Sequence, residues 1–250
     1  MLVGLLHPGE MGSAVGAALR ARGHDVFWAS SGRSGATARR ALAADLRDVG
    51  SVEALLAEAD VVLSIVPPHA APAVAAQAGG FGGVFVDANA ISPATVRGLT
   101  PPRRVDGGIV GPPPHRPGTT RLYLSGEGAR AVAALFAGST VEARIVDGGI
   151  GAASALKMTY AAWSKGTAAM VIAIRDVARA NGVEAALLAE WGESVPELLE
   201  RLPRAERSAD EKAWRWIGEM EEIADTFAAA EQPEGFHRAA AQVFRAWAAA

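Results

Sequence analysis

The chain opens with a short apolar run, Leu2-Val3-Gly4-Leu5-Leu6, which breaks into His7-Pro8-Gly9-Glu10-Met11-Gly12 and continues as an Ala-rich amphipathic segment. That order reads as strand, glycine turn, helix. Such a turn aims the unpaired N–H groups of a helix N-terminus, and the positive end of its dipole, at whatever lies above the strand. In a βαβ fold the pyrophosphate of a dinucleotide binds there, so His7, Pro8, Gly9, Glu10, Met11 and Gly12 are candidate cofactor-binding residues. The pattern G-x-G-x-x-G has His7 where its first glycine belongs. Gly9 would let the backbone approach phosphate and Gly12 would let the helix pack on the strand, while His7-Pro8 must form the tight turn by other means.

Composition narrows the alternatives. A chain of 250 residues, half of them hydrophobic, with a formal net charge of −3, can bury a substantial core in one large or two modest domains. No basic block or stripe points to nucleic acid, and Arg20, Arg22, Arg39 and Arg40 read as solvated helix faces. The absence of cysteine removes disulfides, zinc-thiolate sites and thiol nucleophiles together, and fits a reducing compartment. The histidines, at positions 7, 24, 69, 115 and 237, never fall at an i, i+4 metal-ligand spacing, so no protein-bound metal is expected. The apolar N-terminus lacks a basic flank and is cut by Pro8, and no charge-free apolar stretch of about 18 residues follows. The expectation is a cytoplasmic protein without membrane contact.

Short β-branched runs alternate with helical segments as far as about Val146: Val26–Ala29, Asp60–Val66, Gly83–Asp87, Arg104–Val110, Arg121–Leu124 and Val141–Arg144. With parallel pairing and right-handed crossovers, the loops after these strands open on one edge of the sheet, where ligand chemistry collects. The Pro-rich loop from Gly111 to Thr120 belongs near that site. After Gly148-Gly149-Ile150-Gly151 the pattern becomes one helix of roughly 30 residues, about 45 Å long, ending at Asn181-Gly182. The remainder is helical and carries Trp191, Trp214, Trp216 and Trp247, more indole than a segment of that size can hide alone. The fold class is therefore α/β, an N-terminal Rossmann-type doubly wound sheet (1–148) followed by an all-α C-terminal domain (149–250). The long helix and the tryptophans predict a homodimer.

Two further stretches carry chemistry. After the second strand come Ser30, Ser31, Gly32, Arg33 and Ser34, with no acid to bind free ribose hydroxyls. Hydroxyls plus a guanidinium suit a 2′-phosphate, which predicts NADP (NADPH) over NAD, although Ser34 would equally cap the next helix. Lys157 lies early in the long helix, with Tyr160, Ala161, Ser164 and Lys165 at +3, +4, +7 and +8 on one face. A lysine with a depressed pKa can exchange a proton with a substrate oxygen during hydride transfer, and Tyr160 can hydrogen-bond the same oxygen. Lys157 and Tyr160 are the candidate catalytic pair.

These segments together resemble the β-hydroxyacid dehydrogenases, the 6-phosphogluconate dehydrogenases and their imine reductase relatives. Pro8–Gly12 is similar to their G-L-G-x-M-G turn, Val66-Pro67-Pro68 to the loop beside the nicotinamide, and Val86–Pro93, with Asn89, to their D-x-S-T-I-S-P segment. Asp106–Gly111 stands in the place of D-A-P-V-S-G, Gly118-Thr119-Thr120 in that of G-T-L, and Gly148–Met158 in that of G-x-G-x-x-x-K, which makes Lys157 the family's catalytic lysine. The resemblance implies cofactor roles for Val66, Pro67, Pro68 and Asn89, and substrate roles for Asn89, Val110, Gly111 and Ser164. Departures at Val110 (serine in the family), Pro112 (glycine), Ala161 (asparagine) and Ser164 (glutamate in the phosphogluconate enzymes) point away from a standard 3-hydroxycarboxylate or phosphogluconate. The stretch with Lys212–Trp216 and Gly235–His237 resembles a poorly characterised helical domain of some of these proteins, and adds Trp214 and His237 as substrate-side candidates. The reading is an NADP-dependent oxidoreductase acting on a hydroxy acid, a carbonyl or a related small molecule. Its rivals are an imine reductase and a non-catalytic NADP(H)-binding sensor.

Overall fold

The computed structural model describes residues 1–249. The chain divides into two compact units, Met1–Lys157 and Met158–Ala250, so the division falls inside the long helix. The first unit holds one eight-stranded sheet of β1 (Leu2–Leu5), β2 (Asp25–Trp28), β3 (Arg47–Asp48), β4 (Val61–Ser64), β5 (Val84–Asp87), β6 (Arg104–Val110), β7 (Thr120–Ser125) and β8 (Val141–Ile145). Their order is β3-β2-β1-β4-β5-β6-β7-β8, which over the first six strands is the doubly wound dinucleotide-binding order.

Both faces of the sheet are covered. Along β1, β2 and β4, Val3, Leu5, Val26, Trp28, Val61 and Leu63 pack on one side with α1 (Glu10–Arg20), α2 (Gly35–Ala43) and α6 (Ala129–Leu135). Phe27, Val62 and Phe85 pack on the other with α3 (Val52–Glu58), α4 (Ala71–Gln77) and α5 (Pro93–Arg97). This is the period-two alternation of a strand, with apolar residues on each face because each face meets helices. Each fully buried Leu or Phe contributes roughly 1.5–3 kcal/mol, so a one-residue slip in β1 would exchange Leu5 for Gly4 and lose such a contribution.

β7 departs from parallel pairing: it runs antiparallel to β6, with Gly108 opposite Tyr123. The Pro-rich loop is thus the connection of an antiparallel pair. It is closed by Thr120 Oγ1 donating to the Pro112 carbonyl at 2.6 Å. Gly111, at φ +118, is required there, since a Cβ would lie 2.2 Å from the Thr119 oxygen.

The start of α7 (Ala152–Ala180) is tied to the sheet by a buried carboxylate. Asp106 Oδ2, on β6, accepts from Gly151 N at 2.9 Å, Ser154 N at 3.0 Å and Ser125 Oγ at 3.0 Å. Its Oδ1 accepts from Ser154 Oγ at 2.6 Å. Ser125 Oγ in turn accepts from Ala153 N at 3.0 Å. The unpaired N–H groups of the helix's first turn therefore end on side chains of β6 and β7, where a negative charge also complements the helix dipole.

The second unit contains the rest of α7 with α8 (Glu184–Ser194), α9 (Glu197–Ala229) and α10 (Gly235–Ala248). α9 and α10 are antiparallel neighbours: Trp247 Nε1 donates to Asp210, Trp216 meets Phe244 edge-on at 5.0 Å, and Phe227 meets His237 at 4.2 Å. α7 runs antiparallel to α9 through Lys165 Nζ–Glu219 Oε1 at 2.7 Å and the Arg175–Glu206 pair. Trp191 and Trp216 are buried, Trp247 is half-buried and Trp214 is exposed.

Replacing Asp106 by Ala leaves several buried donors unpaired at roughly 1–3 kcal/mol each, so Asp106→Ala should destabilise the protein by about 3 kcal/mol or more. The urea midpoint of unfolding reads this, and an unchanged midpoint contradicts the capping role.

Candidate functional site

The C-terminal ends of β1 and β4 lie side by side where the strand order reverses, the place at which an open α/β sheet receives its ligand. The turn after β1 is built from backbone. Gly9 N donates to the His7 carbonyl at 2.8 Å, and Gly9 O accepts from Ser13 N at 2.8 Å to begin α1. A Cβ on Gly9 would meet nothing within 4 Å, so the space above the turn is open. A Cβ on Gly12 would fall 2.4 Å from the His7 oxygen. Gly12 thus lets the helix close on its own turn as well as approach Ile65, the first residue after β4.

His7, in the place of the first glycine, comes beside Arg33 from the loop after β2. His7 Nδ1 and Arg33 Nε are both buried and have no hydrogen-bond partner. Burial, and then the nearby Arg33 charge, push the His7 imidazole down to about 4. Burial lowers Arg33 as well. Two buried nitrogens without partners, on a residue of the glycine turn and on the charged residue near it, leave hydrogen-bonding capacity that fits an anion.

The neighbouring hydroxyls differ in what they do. Ser34 is the N-cap of α2, its Oγ accepting from Thr37 N at 3.2 Å. Ser31 is exposed and Ser30 half-buried, on a loop held by Ser31 N to Gly50 O at 2.8 Å and Arg33 N to Ser30 O at 3.0 Å. Arg40, read from the sequence as part of a solvated face, donates Nε to the Pro8 carbonyl at 3.4 Å and Nη2 to Thr37 at 3.4 Å. The signal was available: Ser34, Thr37 and Arg40 repeat every three residues and share a face of α2.

After β4, Val66 and Pro67 are half-buried and Pro68 is buried at the start of a short 3₁₀ turn. Asn89 holds this loop. Its Oδ1 accepts from Val66 N at 2.6 Å, and its Nδ2 donates to Ser64 Oγ at 3.1 Å and Asp87 Oδ2 at 2.7 Å. With Asn89 2% exposed and its amide engaged on both sides, its place is beneath the loop, as a support.

Lys157 stands on the same edge of the sheet. Asp106 pairs with Asp87 at the end of β5, and a Cβ on Gly108, two residues further, would meet Lys157 Cβ at 2.8 Å and the Ala153 oxygen at 3.0 Å. Gly108 therefore lets α7 lie directly on β6, one helical turn beyond the Asp106 cap. Val110 is buried. Tyr160, Ser164, Trp214 and His237 belong to the second unit. There Tyr160, Ser164 and Trp214 are exposed, and His237 is buried against Phe227 with Nδ1 unpartnered. Among the described residues, no group of three or more His, Cys, Asp or Glu is placed to hold a metal, and no helix is long and apolar enough to cross a membrane.

A doubly wound sheet with a glycine turn at its switch point and a basic loop after β2 defines a dinucleotide-binding domain joined to a helical one. Residues 2–90 match the family described as NADP oxidoreductase coenzyme F420-dependent, and residues 178–247 match a domain of unknown function, DUF1932. The first stretch is thus similar to that NADP oxidoreductase family and the last to DUF1932, in line with the resemblance read from the motifs. The conserved protein MTH1747, of unknown function and structurally similar to 3-hydroxyacid dehydrogenases, is 28% identical over 99% of this chain and 96% of its own, with a TM-score of 0.74. The Mycobacterium tuberculosis 3-hydroxyisobutyrate dehydrogenase, solved with L-serine, shares the fold at 19% identity and a TM-score of 0.73, over 99% of this chain and 94% of its own. A Streptomyces aurantiacus imine reductase does so at 21% and 0.54, over 98% and 94%. No curated protein matches the sequence.

The buried imidazole gives a pH signature. Because His7 lies near 4 in the folded chain against an ordinary 6.5, protonation favours the unfolded state, and its share of stability is lost as pH falls from about 6.5 through about 4. Measured against His7→Gln, the wild type should therefore lose urea midpoint as pH falls from 7 toward 4.5. A constant difference contradicts the assignment. His237, also lowered by burial, titrates with the same sign in both proteins.

Proposed function

We propose that the protein is an NADP-dependent oxidoreductase acting on the C–OH or C=O group of a small molecule, with Lys157 as the proton donor and acceptor. The observation that carries the cofactor half is the pair of unpartnered buried nitrogens, His7 Nδ1 and Arg33 Nε, beside the open glycine turn. Gly9, Glu10, Met11 and Gly12 would hold the pyrophosphate at the N-terminus of α1. Arg33, with Ser30, Ser31 and Ser34 around it, would receive the 2′-phosphate, and Val66, Pro67 and Pro68 would flank the nicotinamide. NADP supplies or accepts the hydride.

Lys157 has the support that a positioned proton-transfer group needs: a helix start fixed by Asp106 and a glycine in the facing strand. Tyr160, one turn on, would share the substrate oxygen, and Gly111 and Ser164 would line the substrate side. Val110 is buried in the sheet unit and His237 in the helical unit, so neither offers an open side chain to a substrate, while Trp214 keeps an open indole. An alcohol or carbonyl substrate is favoured over an imine because the lysine is retained; a sensor would have no use for it. The domains of this enzyme would be 1–148 and 149–250, and its setting the cytoplasm, in keeping with a chain that has no cysteine.

A homodimer fits the same reading. Past Tyr160, the residues Trp163, Met170, Ile174 and Val177 are exposed on α7 and, with Thr167 completing the stripe, follow one another at alternating four- and three-residue spacing, a seam suited to another helix. Light scattering should give about twice the chain mass, and a monomer at micromolar concentration rules the seam out as a self-interface.

For the chemistry, a screen of small hydroxy acids, ketones and imines with NADP(H) should find turnover. Lys157→Met should abolish it while leaving NADP affinity within about twofold, and Tyr160→Phe should cost less, about 10²-fold. Turnover that survives Lys157→Met removes the lysine from the mechanism, and nucleotide binding without turnover on any substrate favours the sensor.

A further inference from the structure

The replacement of the first fingerprint glycine by a histidine calls for a physical reason, because glycine there is the simpler solution to the turn. The structure holds the His7 ring partly buried, with Nδ1 enclosed and unpartnered, beside a guanidinium whose Nε is likewise unpartnered. A buried nitrogen without a partner forfeits hydrogen-bond energy in the free protein, and two such nitrogens together indicate a group that arrives later. We propose that His7 is a ligand of the cofactor's 2′-phosphate, taking up a proton from solvent as NADP binds so that Nδ1–H donates to a phosphate oxygen beside Arg33. This rests on the NADP-binding reading above and adds to it that cofactor binding is coupled to proton uptake.

The surroundings set the sign. In the free protein the charges near His7 are Arg33 from the β2 loop, Arg40 from α2, bonded to the Pro8 carbonyl, and Glu10 in the first turn of α1. The β4 loop, Ile65 to Pro68, brings no titratable group. Burial and Arg33 both hold the imidazole neutral, at about 4. A phosphate dianion placed between them reverses the balance, since it neutralises the Arg33 field and accepts a charge-assisted hydrogen bond from the imidazolium. One proton passes from water to the ring, and no other bond changes. The phosphate cannot supply the effect itself: a phosphate monoester with a second pKa of about 6 is already about nine-tenths dianionic at pH 7, and a cationic site draws off the remaining proton. A net uptake at pH 7 must therefore come from the protein. The affinity for NADP should weaken as pH rises through neutrality, by up to about tenfold per pH unit between the pKa of the free imidazole and that of the bound one, and level off above the latter.

The test is isothermal calorimetry of NADP and NAD binding to the full chain at pH 7, in buffers of different ionisation enthalpy, where the dependence of the observed heat on buffer gives the protons exchanged. Wild type should take up between about half and one proton per NADP and close to none per NAD, and His7→Gln should bind NADP with no net uptake. The His7 ring resonance, followed by NMR, should shift its titration midpoint from the acid range to neutrality or above when NADP is added, a readout that needs no variant. NADP binding without proton uptake, or uptake unchanged in His7→Gln, or a His7 midpoint unmoved by NADP, overturns this proposal while leaving the cofactor assignment standing. A wild-type protein that binds neither nucleotide overturns both.

Discussion

The buried carboxylate of Asp106 is the contact on which the arrangement of the candidate catalytic edge depends. A 29-residue helix must begin somewhere fixed if a side chain in its second turn is to be placed within an ångström or two, and helix starts fray unless their N–H groups are paired. Here Gly151, Ala153 and Ser154 are paired through Asp106 and Ser125, two residues directly opposite each other on β6 and β7. Gly108 then removes the one atom that would hold the helix off the strand. The antiparallel turn of β7 matters for the same reason, since it brings Ser125 back to the level of Asp106.

The cofactor edge follows a different logic. There the protein leaves polar groups unsatisfied: His7 Nδ1 and Arg33 Nε have no partners, and nothing fills the space above Gly9. Asp106 contributes to stability in the free chain, whereas the His7 and Arg33 nitrogens cost stability until an anion reaches them. Asn89 belongs with the first kind. It pins the loop after β4 from below, fixing the backbone of Val66.

Much of this was legible in the sequence, and what was not has identifiable causes. The strand, turn and helix at the N-terminus are local, so Leu2 to Gly12 announced both the fold and its ligand. The placing of Lys157 and Tyr160 one turn apart on a single long helix followed from helical periodicity. The role of Asp106 did not, although it lay within a recognised motif, because its partners lie 19 to 48 residues away and no local pattern encodes them. The reversal of β7 was hidden because alternation reports the faces of a strand and not its direction, and β3, at two residues, is too short to register. Asn89 was read as a ligand-facing amide, since a motif names residues without saying which way each side chain points. Arg40 is exposed, as its place on a solvated face predicts, and its contact with the Pro8 carbonyl, 32 residues away, is one that no local pattern encodes.

We propose the His7–Arg33 pair at the glycine turn as the seat of the cofactor's 2′-phosphate. A crystal structure of the protein with NADP tests it most directly. The account predicts the pyrophosphate over Gly9 to Gly12 and the 2′-phosphate within hydrogen-bonding distance of both Arg33 and His7 Nδ1, with Asn89 still beneath the β4 loop. A nucleotide bound elsewhere, or a 2′-phosphate turned to solvent with those two nitrogens still unpartnered, would contradict it.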